Sequence, residues 1–235
     1  MKIGIMQPYF FPYIGYFQLI VAVDQFVVYD NIKYTKKGWI NRNRMLLNGS
    51  ASTFSLPIEK GQDFLDIVQR QISSEFDPKK LLSQLKGAYF HAPYFDKVYK
   101  LLEEIIYYAD RNLFLYIYHT LIATCRHLNI KTNILISSCI AIDHELKSQE
   151  KVIAICKALG ADSYINTMGG VALYSKEEFR VNDIRLNFIK PNPFEYPQLG
   201  DEFVPWLSII DVLMFNSPDK INTVIHSGYQ IVEEV

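Results

Sequence analysis

Two runs near the amino terminus carry the residue types best suited to chemistry. Asp30 and Asn31 close a short apolar stretch, and Tyr34, Lys36, Lys37 and Trp39 follow it. Then Asn41, Arg42, Asn43 and Arg44 alternate amide and guanidinium. In an extended segment Arg42 and Arg44 share a face, where two guanidinium forks can clamp a phosphate or carboxylate. Asp30, a carboxylate at a strand end, is the candidate base for an attacking amine, or its orienter. His144, flanked by Asp143 and Glu145, is the competing base, because neighbouring carboxylates raise imidazole basicity. The plainer alternative for the Arg/Asn run is a solvated edge strand, whose charges block aggregation.

The earlier run places Gln7, Tyr9, Tyr13, Gly15 and Tyr16 among Pro8, Phe10, Phe11 and Pro12. A loop leaving the carboxyl end of the first strand of an α/β sheet is a ligand position. Gly15 lets a ligand approach the backbone, and the helix that follows points its positive end at the site. Aromatic faces suit sugar rings and pyrimidine bases, while paired arginines suit a diphosphate. An aromatic-lined core corner is the competing explanation.

Later candidates are sparser. Asn166, Gly169 and Gly170 follow another strand and can line the same cleft through backbone N–H groups, with Tyr174 beside them. Ser208 and Asp211 stand at helical i, i+3 spacing near Trp206, placed to fix a polar ligand group or to bond each other. His91 ends a helix, where a positive imidazole is favoured. Cys125, Cys139 and Cys156 fit no zinc or CxxC spacing; buried reduced thiols are expected, with Cys139 the alternative nucleophile. No metal site, dinucleotide fingerprint or P-loop is expected.

The elements that must position these groups follow from periodicity and turn chemistry. Ile3 to Met6 reads as a buried strand, Gly15 to Val23 as a helix and Gln25 to Tyr29 as a strand, a βαβ opening. Met45 to Leu47 and Thr53 to Leu56 flank Asn48-Gly49-Ser50, a β-hairpin signal. Helical spacing recurs over Phe64–Ile72, Pro78–Phe90, Tyr94–Tyr108 and Leu113–Leu128, with Asp77 and Asp110 as caps. Strands are expected at Asn133–Ser137, Ser163–Asn166 and Ile184–Ile189. Helices are expected at Ser148–Leu159 (closed by Gly160), Trp206–Phe215 and Ile221–Ser227. Together these predict one α/β domain over 1–235, with a parallel-rich, doubly wound sheet, a β-hairpin and a mostly helical insertion over 64–128.

The 235 residues are 49% hydrophobic and 21% charged, enough for a sizeable core. A net charge of −1 does not call for DNA or an anionic membrane. The expected partner is a small molecule; oligomeric state is left open. No apolar run approaches the roughly 20 residues of a membrane span, and the apolar start is too short for a signal peptide. The expected location is cytoplasmic.

The runs IMQPYFFPYIGYFQLI and DQFVVYDNIKYTKKGWINRNR resemble the WbqC-like family, found in bacterial surface-polysaccharide gene clusters. Ala161 to Asn166 with Gly169-Gly170, and Leu207 to Leu213, extend the resemblance over nearly the whole chain. It implies a role in O-antigen or related glycan assembly on an amino-sugar nucleotide. A fainter similarity, through Ile5, Pro8, Pro12, Gly15 and Tyr16, is to HIGH-motif nucleotidyltransferases and adenylate-forming enzymes. Tyr16 stands where that motif has its second His, the first is missing, and Ser175-Lys176 poorly replaces the lysine loop. The leading expectation is therefore a transferase adding an acyl or aminoacyl group to an amino sugar or nucleotide sugar. The donor is undefined, with ATP a possible cofactor. The alternatives are an ATP-dependent ligase or nucleotidyltransferase of the HUP type, and a non-catalytic scaffold of a glycan-assembly complex.

Overall fold

In the computed structural model, which describes residues 1–200 and 202–233, a mostly parallel six-stranded sheet organises the chain. β1 (Lys2–Met6) leads through α1 (Ile14–Val21) to β2 (Gln25–Val28) alongside it, the expected βαβ opening. β3 (Arg42–Leu47) and β4 (Ser50–Ser55) form a separate antiparallel hairpin. Asn48 and Gly49 both take positive φ, 51° and 72°, which a two-residue hairpin turn requires.

Three helices follow: α2 (Pro78–Tyr89), α3 (Phe95–Ile106) and α4 (Leu113–His127). Asp77 caps α2 by accepting from the Lys79 amide, with Pro78 at the first position. Asn112, not Asp110, caps α4; Asp110 accepts from the Asn112 amide and braces the approach. The expected helix over Phe64–Ile72 does not form. Only a 3₁₀ turn at Ile67–Gln69 appears, because the backbone amides bond sideways. Ile67 donates to the Ile32 carbonyl, Val68 to Asp30 and Ile72 to Arg111, and Phe64 is left exposed.

The chain then returns through β5 (Asn133–Ile136), α5 (Ser148–Ala158), β6 (Ser163–Thr167), α6 (Lys176–Arg180) and β7 (Arg185–Pro191). Gly160 ends α5 at φ 67°. α7 (Ile209–Phe215), α8 (Pro218–Ser227) and β8 (Tyr229–Glu233) complete the order. α7 starts three residues later than its apolar pattern predicts. Ser208 is its N-cap, and Trp206 sits outside at φ 60°. α6 and β8 are additions to the sequence reading.

The strand order is β5-β2-β1-β6-β7-β8, parallel except for β8. The chain builds outward from β1 on one side, then crosses to build outward on the other. Alternation along the strands sends side chains to two cores. Phe26, Val28 and Ile165 face α1, the hairpin and α2–α4. Ile3, Ile5, Val27 and Tyr164 face α5 and α6. Among the described residues no helix is long and apolar enough to cross a membrane.

Candidate functional site

The carboxyl ends of β1 and β6 meet where the direction of strand building reverses, the place where open α/β sheets leave a crevice. A two-lobed cleft opens there, and Met6, Tyr9, Thr167 and Gly169 line both lobes. The first lobe, about 490 Å³, is polar: Gln7, Tyr29, Lys33, Asn166, Gly170 and Tyr174 are on its wall. Ser148 and Gln149, the first residues of α5, complete that wall. Lys147 gives this helix no side-chain cap, so its first-turn amides and positive end lie beside the lobe. The second lobe, about 540 Å³, is aromatic: Tyr13, Tyr16, Trp39, Arg44, Pro191 and Trp206 surround it, with Gly15 and Lys190.

Three segments converge to build the aromatic lobe. The Pro8–Pro12 turn carries a strained Phe11 at φ 44°, and its carbonyls are gripped from two sides. Asn43 Nδ2 donates to the carbonyls of Phe10 and Phe11 at 3.1 and 2.8 Å. Ser208 Oγ donates to the Phe11 carbonyl at 2.7 Å, and the Ile209 amide to Pro12. The Ser208 amide in turn donates to the Arg44 carbonyl. The turn and the Asn/Arg strand are thus adjoining walls, and the start of α7 is a third. Gly15 is needed for close approach. A Cβ there would lie 3.0 Å from the Tyr13 ring and 3.1 Å from Pro191.

The two arginines differ. Arg44 stacks its guanidinium 5.4 Å from the Trp39 ring and donates from Nη2 to the Trp206 carbonyl at 2.8 Å. Its Nε is buried without a partner. Arg42 also lies over Trp39, at 5.8 Å, but its Nε and Nη2 donate to the carbonyls of Gly38 and Lys37. It braces the preceding turn and does not line the cleft. Burial raises the phenol pKa values of Tyr9, Tyr13 and, most strongly, Tyr16, so all three are neutral at ordinary pH. Tyr16 donates to the Gln7 carbonyl and fixes the strand exit.

Several candidate residues lie behind the cleft wall. Asp30 is buried, and its Oδ1 accepts from Ser137 Oγ at 2.7 Å and the Ser138 amide at 2.9 Å. Asn31 Nδ2 donates to His144 Nδ1 at 2.9 Å. Buried Lys151 donates to the carbonyls of Asn31 and His144 and sits 5.3 Å above the Tyr29 ring. Burial, then Lys147, lowers the Lys151 pKa, against the pull of Asp66, Asp30 and Glu145. This network ties the β2 exit to the β5 exit; Asp30 and His144 are absent from both lobe linings.

Tyr34 donates to Asn41 Oδ1, and Asn41 donates to the Leu56 carbonyl, so this pair holds the hairpin base instead of facing a ligand. Asp211 is fully buried, accepting from Tyr89, Tyr196 and Gln198, while Ser208 caps α7. Their side chains neither bond each other nor line the cleft. Asn166 lines the polar lobe and is held by Tyr164 and the Thr167 amide. Cys125 and Cys156 are buried and their thiols are pushed up to about 12. Cys139 is exposed, contrary to the expectation for all three, because its 3₁₀ turn carries it to the surface outside the cleft. His91 is exposed beside Phe90.

Lys33, Tyr29, Ser148, Gln149, Lys190 and Trp206 are lining residues that sequence reasoning did not select. Lys190 and Trp206 had a readable signal: one ends a strand near the switch point, the other abuts the Ser208/Asp211 pair. The charged side chains among the described lining residues are Lys33, Arg44 and Lys190, all cationic.

An uncharacterized protein of Mycobacterium tuberculosis (strain ATCC 25618 / H37Rv), Rv1507c, is 30% identical over 220 residues, covering 92% of this chain and 93% of that protein. No solved structure matches significantly. A family model, WbqC-like protein family, matches residues 7–223, which include nearly all of both lobes, and the chain belongs to that family.

Proposed function

We propose that the protein is a transferase of surface-polysaccharide biosynthesis that binds a nucleotide-linked amino sugar and modifies it with an acyl or aminoacyl group. The observation that carries this reading is the cleft itself: aromatic walls, a polar second lobe and only cationic charges, at the switch point of the sheet. A local positive field in a protein of net charge −1 favours an anionic ligand. Ring stacking and hydroxyl recognition are served by separate lobes.

In this reading Lys33 and Lys190 offset the diphosphate charge, and Arg44 adds to the same positive field. Gln7, Asn166 and Tyr174 contact sugar hydroxyls, and the α5 amides face the reacting end. Asp30 and His144 hold the wall; they do not reach the substrate. The cleft acts chiefly by positioning the amine against an activated carbonyl.

The test is a calorimetric and thermal-shift screen of UDP- and dTDP-linked amino sugars, ATP and acyl-CoAs. At least one nucleotide-linked amino sugar is expected to bind and raise Tm. Absence of binding by every nucleotide sugar overturns the proposal. ATP–pyrophosphate exchange dependent on one carboxylic acid would replace it with the ligase alternative.

A further inference from the structure

The chain contains two tryptophans, and both stand at the mouth of the aromatic lobe with their rings exposed. They come from segments far apart in sequence. Trp206 is held at φ 60°, a conformation a bulky residue adopts only when its surroundings impose it. Those surroundings are Arg44 Nη2 on its carbonyl and the Tyr13 ring 5.1 Å away. Trp39 is placed by the guanidinium of Arg44.

The two lobes differ in what they offer a desolvated ligand. A pyranose with an amide presents several hydroxyl and amide groups, each needing a partner when water leaves. The aromatic lobe is less well supplied for that. Its Asn43 is committed to the carbonyls of Phe10 and Phe11 and its Tyr16 hydroxyl to that of Gln7, which leaves Thr167, Lys190, Arg44 and the Tyr9 and Tyr13 hydroxyls on otherwise apolar rings. The polar lobe offers Gln7, Tyr29, Lys33, Ser148 and Tyr174. A nucleobase makes the opposite demand: two apolar faces and one polar edge. The aromatic lobe has the rings for the faces and the Arg44 guanidinium on its wall for a carbonyl on the edge.

We infer that the aromatic lobe is a nucleobase subsite, with Trp206 as stacking platform and the Arg44 guanidinium as donor to a base carbonyl, so that the sugar lies in the polar lobe. This rests on the nucleotide-sugar reading and adds an orientation to it. Met6, Tyr9, Thr167 and Gly169, common to both lobes, then mark where the phosphates pass.

Trp39→Phe leaves Trp206 as the sole tryptophan, an intrinsic fluorescence reporter. That variant is titrated with UMP, dTMP, CMP, GMP, AMP and N-acetylglucosamine 1-phosphate, and binding is repeated by calorimetry on Trp206→Ala and Trp206→Phe. At least one nucleoside monophosphate is expected to quench Trp206. Trp206→Ala should weaken that nucleotide about tenfold, with Trp206→Phe restoring most of the loss and the sugar phosphate unaffected. Arg44→Lys, which keeps the charge and removes the guanidinium fork, should weaken the same nucleotide. If Trp206→Ala weakens the sugar phosphate and spares every nucleotide, the orientation is reversed and the inference fails while the nucleotide-sugar reading stands. Binding of intact nucleotide sugars without any nucleoside monophosphate also overturns it. Failure of both kinds of ligand overturns both readings.

Discussion

The strap between β7 and α7 is anchored at two charged residues, and the two anchors contrast. At the inner anchor Asp211 accepts from Tyr196 and Gln198 of the strap and from Tyr89 of α2. The Tyr89 hydroxyl itself accepts from the Leu46 amide, so the polar chain continues into the hairpin. At the outer anchor Arg44 holds the Trp206 carbonyl and stacks on Trp39, yet its buried Nε has no partner. One charge is fully occupied by its own protein; the other lines a cleft. A buried polar group without a partner costs free energy, and the outer anchor carries that cost where the inner one does not.

The largest effect that tests this contrast is on folding. Asp211→Ala leaves the buried Tyr89 and Tyr196 hydroxyls without their acceptor and Gln198 with the Val204 carbonyl alone, and should cost about 3 kcal/mol, less than a simple sum because they share one site. Urea denaturation measures it; a loss below about 1 kcal/mol would mean the inner anchor is not occupied as described. pH sharpens the point. Burial holds the Asp211 carboxyl above its ordinary 3.8, although Tyr196, Gln198 and Tyr89 pull it back. The folded state therefore binds that proton more tightly than the unfolded chain. The resulting stability is fully present below about pH 4 and is lost as pH rises through the elevated native value. Wild type should lose stability relative to Asp211→Asn across that window. The exposed carboxylates with lowered pKa, Asp63, Asp162 and Glu177, act in the opposite sense but cancel in the difference. A difference that is flat or rising with pH contradicts the assignment.

The inner anchor also shows what sequence reading misses. Where backbone chemistry is local, prediction succeeds: Asn48-Gly49 demands positive φ, Asp77-Pro78 starts α2, and Gly160 ends α5. The convergence of the Pro/aromatic turn with the Arg/Asn strand was legible from composition at two strand exits. What was hidden is which polar groups the fold consumes. Asp30 and Asp211 look as available in sequence as Arg44, but their acceptor oxygens meet Ser137 and Tyr196, residues distant in sequence. Phe64–Ile72 has helical spacing, yet its amides go to neighbouring segments. Tyr229–Glu233 lacks a buried face because it forms a sheet edge, so no periodicity announced β8.

A smaller effect separates the two arginines that alternation places together. Arg44→Lys removes Nε and the fork that holds Trp206, and should weaken the cleft's ligand about tenfold. Arg42→Lys disturbs only the bonds to Lys37 and Gly38 and should change affinity less than about twofold. Calorimetry with the same ligand compares them. Equal losses would mean that both arginines reach the ligand and that the outer anchor holds no special donor.

The smallest effect probes how tightly the aromatic lobe is built. Gly15 is the second residue of α1, and its added Cβ would approach the Tyr13 ring at 3.0 Å and Pro191 at 3.1 Å. Alanine improves helix propensity by about 0.5–1 kcal/mol in a helix interior, and overpacking removes a comparable amount. Net stability for Gly15→Ala should therefore change by less than about 1 kcal/mol. Pro191 is stiff and ends a sheet strand, so Tyr13 must move by a few tenths of an ångström, toward Trp206 and into the lobe. Ligand affinity should fall about two- to threefold while Tm barely changes. The reverse, a clear drop in Tm with affinity intact, would show that Tyr13 packs for the fold alone and takes no part in the lobe.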